Sequence, residues 1–457
     1  MIARISRGLT WVVSRYLPDP LIFAILLTII TFIAGMASMG TSAGLTVLNI
    51  DVAPAWLDRP VMMVRLWGEG FWNLLAFGMQ MALVVVTGHA LASSGPIKNL
   101  MRTIASTAKT PAQGVMLTTF VGSIACVFNW GFGLVVGAMF AKEVARRVKG
   151  SDYRLLIACA YIAFLTWHGG LSASVPLLAA TPGNPMEKTI GLIPAMDMLL
   201  SGYNLFITIG LVVTLPFLTR MMMPKADEVI SVNPDLLAEE PDFQKKLAPD
   251  APVAEKLEES RLLSIIVGAL GISYLIYYFY SKGFNITINT VNLVFLTAGI
   301  LLHKTPMAYM RAVVAAARST AGIMIQFPFY AGIQLMMDHS GLGGLITQVF
   351  IDISTVDTFP ILTFFSSAIV NFAVPSGGGH WVVQGPFVMP AAQALGADLG
   401  KAAMAIAYGE AWMNMAQPFW ALPALAIAGL GVRDIMGYCV TALLFSSVIF
   451  LAGLALF

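Results

Sequence analysis

Long apolar runs separated by short polar segments recur along the 457-residue chain. A helix that crosses a bilayer needs about 20 mostly apolar residues. The shorter run at 289–303 is a further candidate for a span. Runs that reach or approach the required length cover 21–40, 71–93, 155–180, 201–223, 262–281, 319–337, 399–428 and 434–457. The pattern therefore predicts an all-α polytopic membrane protein.

Two other apolar runs, 113–141 and 358–395, are too long for one span and are interrupted near the middle. The interruptions are at Asn129-Trp130-Gly131 and at Pro375-Ser376-Gly377-Gly378-Gly379. Basic segments flank the first run on both sides, and Lys and Arg stay cytoplasmic. We therefore expect 113–141 to be a re-entrant hairpin that opens inside, and 358–395 a hairpin that opens outside.

Composition supports the membrane assignment and removes other classes. Charged residues are 11% of the chain, against roughly 25% in an ordinary soluble domain, and the mean hydropathy is +0.80. Such a chain is neither a soluble enzyme nor a nucleic-acid binder. The cysteines, Cys126, Cys159 and Cys439, lie in apolar runs without metal-ligand spacing. We expect no metal site, no cofactor and no nucleic-acid partner.

The distribution of basic residues also predicts orientation and location. Arg4, Arg7 and Arg15 precede the first apolar run, as in a signal peptide, but the run is long enough for an uncleaved span. We expect a multi-pass protein of the bacterial inner membrane, in contact with the lipid bilayer, with a cytoplasmic N-terminus. Some tryptophans, namely Trp67, Trp72, Trp381 and Trp420, are interpreted as members of interfacial aromatic belts.

The chain divides into two halves that share sequence features. Ala158-Cys159-Ala160-Tyr161 matches Ala405-Ile406-Ala407-Tyr408, and Thr119, Ser123 and Asn129 match Thr363, Ser367 and Asn371. The predicted orientations make the repeats inverted, which is typical of secondary transporters. The expected divisions are a first repeat at 1–223, a charged cytoplasmic linker at 224–261, a linker span at 262–288 and a second repeat at 289–457.

The interrupted segments carry the candidate binding chemistry. Gly and Pro are poor helix formers, so Gly377-Gly378-Gly379 is expected to unwind and expose backbone N–H groups near the start of a helix, which suits a carboxylate. Close helix packing is the alternative reason for these glycines. The two spans 155–180 and 399–428 are also expected to unwind. The predicted substrate-binding residues are Ser123, Asn129, Trp130, Gly131, Ser172, Ser174, Asn371, Ser376, Gly377, Gly378, Gly379, His380, Asn414 and Gln417.

Ionisable residues inside spans are costly and are functional candidates by default. Glu410, His380 and His168 are candidates for carrying a coupling proton. A structural role, in which each is hydrogen-bonded across helices, is the alternative. No basic residue lies at the predicted midplane, so dipoles and hydroxyl groups would hold the anion, which favours small monocarboxylates.

Several longer motifs resemble a known family. They are Arg15-Tyr16-Leu17-Pro18-Asp19-Pro20-Leu21, Trp67-Gly68-Glu69-Gly70-Phe71-Trp72-Asn73-Leu74-Leu75, Phe128-Asn129-Trp130-Gly131-Phe132-Gly133, Ala180-Thr181-Pro182-Gly183-Asn184-Pro185 and Val374-Pro375-Ser376-Gly377-Gly378-Gly379-His380-Trp381. Together they resemble the bacterial short-chain fatty acid transporters, which are similar to the wider ion-transporter superfamily. The resemblance implies uptake of acids such as acetoacetate or butyrate, an elevator-type carrier with inverted repeats, and a homodimer.

The sequence leaves the coupling mechanism open. Proton symport is the favoured expectation, and a Na⁺-coupled monocarboxylate carrier is the alternative. A cation/proton antiporter would need an intramembrane Asp pair, which the sequence does not show. An intramembrane enzyme would need a nucleophile–base pair or a metal cluster at depth, and a passive channel fits paired hairpins less well than a carrier does.

Overall fold

The computed structural model describes residues 20–41, 44–45, 48, 53–225, 227–237, 243–245, 247–371, 374–417 and 419–457. Within these ranges every regular element is a helix. The basic residues Arg4, Arg7 and Arg15, on which the N-terminal orientation was predicted, lie outside the described residues.

The first half of the chain contains α-helices of very different lengths. A 3₁₀ segment, Ala163–Gly169, continues α7 directly. The helices are α1 (Pro20–Ser38), α2 (Asp58–Gly70), α3 (Leu75–Ala92), α4 (Gly95–Ala105), α5 (Pro111–Phe128), α6 (Trp130–Arg147), α7 (Tyr153–Ile162), α8 (Ser174–Ala180), α9 (Glu187–Ile190), α10 (Ala195–Leu199) and α11 (Gly202–Met221).

The second half follows a short connecting region. Two further 3₁₀ turns cover Pro234–Leu237 and Arg318–Thr320. The helices are α12 (Val253–Glu258), α13 (Arg261–Lys282), α14 (Ile288–His303), α15 (Pro306–Ala317), α16 (Ala321–His339), α17 (Leu342–Ile353), α18 (Phe359–Asn371), α19 (Gly377–Leu395), α20 (Leu399–Met413), α21 (Ala421–Ala428) and α22 (Val432–Leu456).

Six segments of the described chain are long and apolar enough to cross a membrane, judged by length and composition alone. They are Leu75–Ala92, Pro111–Phe128, Tyr153–Ala180, Gly202–Met221, Val253–Lys282 and Val432–Leu456. The sequence-based prediction of a helical polytopic protein is therefore confirmed. The arm Pro111–Phe128 was predicted as half of a hairpin, although its length would also suit a span.

The predicted interruptions are present in all four segments. Asn129 alone separates α5 from α6, and the described residues 374–376 precede α19 without belonging to a helix. Regular α-helix stops at Ile162 and resumes only at Ser174, and it stops again between Met413 and Ala421. The first of these breaks contains Gly169 and Gly170, which weaken a helix because glycine has high backbone entropy in the unfolded chain.

Helices of each half of the chain pack against helices of the other half. Helix α16 of the second half packs on α1 and α2, and α3 of the first half packs on α14 and α15. The hairpin arms pack on the broken helices: α5 on the 3₁₀ segment and α18 on α20. These broken helices are deeply buried, and about nine-tenths of the Tyr153–Ala180 window is enclosed by protein.

Helix α2 was not predicted from the apolar pattern. It carries Arg65 and Glu69, which form an i,i+4 ion pair at 2.6 Å, and with 13 residues it is too short to cross a bilayer. Its C-terminal Gly70 nevertheless lies against α16, where an added Cβ would be 2.7 Å from Leu335 Cβ. The helix is held by close backbone packing, which hydrophobic periodicity does not report.

The charged linker is partly docked rather than a solvated connector. At one end, Ile230 N donates to Asp152 Oδ2 at 2.9 Å and Tyr153 N donates to Ile230 O at 2.9 Å. At the other end, Arg311 donates through Nε to Phe243 O at 2.8 Å and through Nη2 to Glu259 Oε1 at 2.7 Å. One end of the linker thus contacts the start of α7, and the other contacts α15.

Candidate functional site

Both hairpin tips begin a helix with the same capping geometry. Asn129 has φ −157° and ψ 126°, and its Oδ1 accepts from Phe132 N at 2.9 Å. Ser376 has φ −156° and ψ 118°, and its Oγ accepts from Gly379 N at 3.3 Å. In capping geometry Asn129 therefore corresponds to Ser376, whereas the sequence pattern paired it with Asn371. Ser and Asn are comparable N-cap residues.

Asn371 instead ties the second hairpin to the broken helix beside it. Its Nδ2 donates to Glu410 O at 2.6 Å and to Asn414 Oδ1 at 3.0 Å. Asn414 Nδ2 in turn donates to Glu410 Oε1 at 3.0 Å. All three side chains are completely buried. The structure thus brings together three predicted site residues from α18 and α20.

The Glu410 carboxylate also joins the two halves of the chain. Its Oε2 lies 3.1 Å from His168 Nε2, and both side chains are buried. Because Oε1 already accepts from Asn414, Oε2 is the oxygen that can exchange a proton with the imidazole. The pair can hold one added proton, either on His168 or on Glu410, with the imidazole changing tautomer.

His380 is oriented by Ser367. The Ser367 hydroxyl donates to Ile406 O at 2.6 Å, and its oxygen lies 2.8 Å from His380 Nδ1. A hydroxyl has one proton to donate, so in this arrangement the hydrogen of the second contact must come from Nδ1. That leaves Nε2 of a neutral His380 as an acceptor, and it has no hydrogen-bond partner among the described residues.

The glycines of the second tip are helical, so the prediction that they unwind is wrong. Gly377, Gly378 and Gly379 form the first turn of α19. A Cβ on Gly377 would be 2.5 Å from His168 Cε1, and one on Gly378 would be 2.6 Å from Phe77 Cζ. These residues are glycine because neighbouring rings approach the helix start closely, while its N–H groups remain at the tip.

The first tip is fixed to the break that follows α7. Ser172 Oγ accepts from Trp130 N at 2.9 Å, and Leu171 N donates to Val127 O at 2.7 Å. Gly131 is close to α3, where an added Cβ would lie 3.0 Å from Val85 Cα. Ser172 therefore has a local structural contact.

The remaining predicted serines and Gln417 differ in their contacts. Thr166 Oγ1 donates to Ser123 O at 2.9 Å, but within the described ranges Ser123 Oγ and Ser174 Oγ have no partner. Gln417 Oε1 accepts from Phe419 N at 3.2 Å. Most predicted site residues thus lie at a tip or in a break, whereas Ser123 lies within α5 and Glu410 within α20.

Two aromatic residues of this region were not predicted as site residues. Trp167 and Trp420 contact Trp130, with ring centroids 5.6 Å and 4.9 Å apart. Trp420 and Trp381 are buried, so their interpretation as interfacial residues is wrong, whereas Trp72 is 61% exposed. The usable signal was position, because Trp167 and Trp420 both lie inside spans that were expected to unwind, 155–180 and 399–428.

Comparison with known proteins identifies the family. A model of short-chain fatty acid transporters matches residues 1–457. The chain belongs to the short-chain fatty acid transporter family. A candidate short-chain fatty acid transporter of Escherichia coli K12 is 71% identical over 459 residues and covers all of both chains. A second one, from Haemophilus influenzae, is 67% identical and covers 99% of both chains.

A solved structure supports the fold independently. The YdaH transporter of Alcanivorax borkumensis matches with a TM-score of 0.58 and 16% sequence identity, over 95% of this chain and 98% of its own. Family membership and the apolar helices together define a membrane transport protein and not an enzyme. In the described part of the chain, no cluster of three His, Cys, Asp or Glu side chains could hold a metal ion.

Proposed function

We propose that the protein imports short-chain monocarboxylates, of the acetoacetate and butyrate class, across the bacterial inner membrane by proton symport. Family membership supports the substrate class. The observation that carries the proposal is a pair of buried side-chain donors of the first hairpin, Ser123 Oγ and Asn129 Nδ2, that have no partner among the described residues. An unpaired buried polar group costs about 1–3 kcal/mol, so a polar ligand would relieve a real penalty.

The carboxylate would bind between the two capped helix starts. Several N–H groups in the first turns of α6 and α19 are already used by the caps and by Ser172, and these helix starts would attract the anion through the positive ends of their helix dipoles. Ser123 Oγ and Asn129 Nδ2 can add donors from side chains. Uncharged donors can bind one carboxylate, whereas a dicarboxylate would favour a site with a permanent positive charge.

Both tips contact the break that follows α7. Trp130 of the first tip contacts Trp167, and the position of an added Cβ on Gly377 of the second tip is 3.0 Å from the Trp167 ring. Both tips therefore touch the segment that carries His168. A substrate at the tips would lie close to the proton-accepting pair.

The coupling proton would be carried by the His168–Glu410 pair, with His380 as the second candidate. Proton uptake by the pair neutralises its charge or adds a positive charge beside the substrate anion. Either change lowers the electrostatic cost of moving the loaded site through a low-dielectric region. The exchange between the two protonation states needs only a movement within the 3.1 Å contact.

The architecture would be an inverted repeat with elevator-type movement. The common capping geometry of the tips, the paired breaks and the crossed packing of α3 and α16 support two related halves at 1–223 and 289–457, with 224–261 as linker and 262–288 as linker span. Hairpin 113–141 would open inside and 358–395 outside, with the N-terminus cytoplasmic. The hairpins and broken helices would move together against the other helices.

A second copy of the chain is the proposed partner. Helix α13 is the span with the least enclosed surface, with about a tenth of its window buried. Its large exposed side chains include Leu270, Ile276 and Tyr280. In a homodimer or in lipid this surface would be covered.

Flux of labelled butyrate into proteoliposomes tests the function. We expect accumulation when the outside is acidic, and its loss when the pH gradient is collapsed. Protein-free liposomes are the control, because the uncharged acid crosses lipid unaided. Accumulation driven by a Na⁺ gradient alone would contradict proton symport, and protein-dependent uptake that never exceeds equilibrium would indicate a channel.

A further inference from the structure

Three buried tryptophans meet where the first tip and both helix breaks come together. Trp130 starts α6, Trp167 lies in the 3₁₀ segment after α7, and Trp420 precedes α21. Their exposed fractions are 2%, 2% and 7%. We refer to these three residues as the tryptophan cluster. The first tip contributes the ring of Trp130, the break of the first half contributes Trp167, and the break of the second half contributes Trp420.

Each indole of the tryptophan cluster has a buried N–H group without an acceptor. Among the residues that the structure describes, Nε1 of Trp130, Trp167 and Trp420 has no hydrogen-bond partner. Burial of a tryptophan normally includes a partner for this group. Two other tryptophans of the same molecule follow that rule, since Trp381 donates to Asn184 Oδ1 at 3.2 Å and Trp412 to Leu443 O at 2.7 Å.

The rings themselves are held rigidly. Phe164 stacks on Trp167 with centroids 5.1 Å apart and planes 5° from parallel. Trp130 meets both of its neighbours in the cluster edge to face. Rigid aromatic walls enclose an alkyl group at low entropic cost but cannot widen for a longer one.

We propose that the tryptophan cluster determines substrate specificity: its rigid rings limit the length of the alkyl chain, and its indole N–H groups donate to an oxygen of the acid. The proposal rests on the proposed function and names further residues of that site, Trp167 and Trp420. Three unpaired donors together match the acceptor oxygens of a small carboxylic or oxo acid, which apolar packing alone would not require.

The test removes the N–H group and keeps the ring. Trp167→Phe and Trp420→Phe are each expected to raise KM for butyrate about tenfold, the effect of roughly one lost hydrogen bond to a charged group. The matched control is Trp67→Phe, because Trp67 Nε1 is also buried without a described partner, but the ring packs on Gly332, away from the cluster. Its KM should equal that of the wild type.

A second variant tests the alkyl wall. Trp420→Leu should shift the inhibition series of unlabelled acids, from acetate to octanoate, so that hexanoate and octanoate compete at least several-fold better relative to butyrate. Thermal unfolding in detergent, with and without butyrate, is measured in parallel. The Phe variants should remain folded and lose the stabilisation by butyrate.

The outcomes separate this inference from the proposed function. One outcome is that the wild type takes up butyrate while the Phe variants keep the KM of Trp67→Phe and Trp420→Leu leaves the inhibition series unchanged. In that case the tryptophan cluster is only packing. If one Phe variant fails to fold, the other decides by the same criterion. If the wild type shows no protein-dependent uptake of any acid in the series, the proposed function is wrong. The specificity role of the tryptophan cluster then fails as well.

Discussion

The Tyr161 hydroxyl donates a hydrogen bond to the backbone oxygen of Asn414, 2.8 Å away in the other half of the chain. The matching tyrosine of the second half, Tyr408, donates to Asn204 Oδ1 at 2.7 Å. Asn204 Nδ2 then donates to Gly169 O at 3.1 Å. Each tyrosine therefore supports the helix break of the opposite half, one directly and the other through an asparagine.

Replacing Tyr161 by phenylalanine should weaken the break at Asn414. The change Tyr161→Phe leaves a buried carbonyl oxygen with one partner fewer, and we expect a loss of about 1 kcal/mol in stability. Butyrate uptake should fall several-fold because Asn414 also holds Glu410. Thermal unfolding and initial uptake rates measure both effects. Tyr277→Phe, on the exposed surface of α13, is the control, and an equal effect there would refute the support role.

Replacing Glu410 by glutamine should separate binding from coupling. Glu410→Gln preserves size and hydrogen bonding but removes the exchangeable charge. In the wild type, an acidic outside should drive accumulation by about tenfold per pH unit if one proton enters with each anion. The variant should lose this accumulation and retain exchange of labelled for unlabelled butyrate. Retained pH-driven accumulation above the level of protein-free liposomes would show that another group carries the proton.

Removing the Ser376 cap of the second hairpin together with the Asn371 side chain that contacts Glu410 and Asn414 should abolish uptake. Ser376→Ala removes the acceptor for Gly379 N and should cost about 1 kcal/mol, and Asn371→Ala removes the contacts to Glu410 and Asn414. The double variant is expected to reach the membrane and transport nothing. Combining Asn371→Ala with Ser376→Asn instead of Ser376→Ala should give the uptake of Asn371→Ala alone, because Asn129 shows that asparagine caps the same geometry.

The control for the cap variant is Thr110→Ala. Thr110 caps α5 through Gln113 N at 3.3 Å, far along that helix from the tip. It should lose comparable stability with little change in uptake. Wild-type rates in the Ser376 and Asn371 double variant would exclude the tip as the binding site.

A methyl group on Gly88 should displace the first tip. An added Cβ there would be 2.5 Å from Asn129 Oδ1 and 2.7 Å from Phe132 N, the acceptor and donor of the cap. Gly88→Ala should therefore reduce uptake strongly while the protein still folds. At Gly68 nothing lies within 4 Å, and Gly68→Ala should gain roughly 0.5–1 kcal/mol of stability. Equal uptake in both variants would contradict the prediction.

The sequence predicted the features that depend on local composition. The breaks at Asn129 and before Gly377 follow from polar and glycine residues inside apolar runs, and the break that contains His168 follows from the adjacent Gly169 and Gly170. Glu410 and Asn414 are four residues apart, a spacing that puts them on about the same face of a helix, and the structure places their side chains 3.0 Å apart.

Features that depend on tertiary contacts were beyond the sequence. Gly377 must be glycine because a Cβ there would lie 2.5 Å from His168 Cε1, a contact that no local pattern reveals. The equivalence of Asn129 and Ser376 is one of backbone geometry between different residue types. Trp420 was assigned to the membrane surface because the sequence does not distinguish a tryptophan of an interfacial belt from one of a buried cluster. Only packing separates the two.

The docked linker has a mechanical consequence. Leu237 O accepts from Arg146 Nε of α6 at 3.1 Å, and Phe243 O accepts from Arg311 Nε of α15 at 2.8 Å. The six residue steps from 237 to 243 can extend to no more than roughly 22 Å, at about 3.6 Å for each residue. While both attachments persist, this short segment limits how far α6 and α15 can separate, so in the proposed elevator movement it would bound the stroke of the carrier.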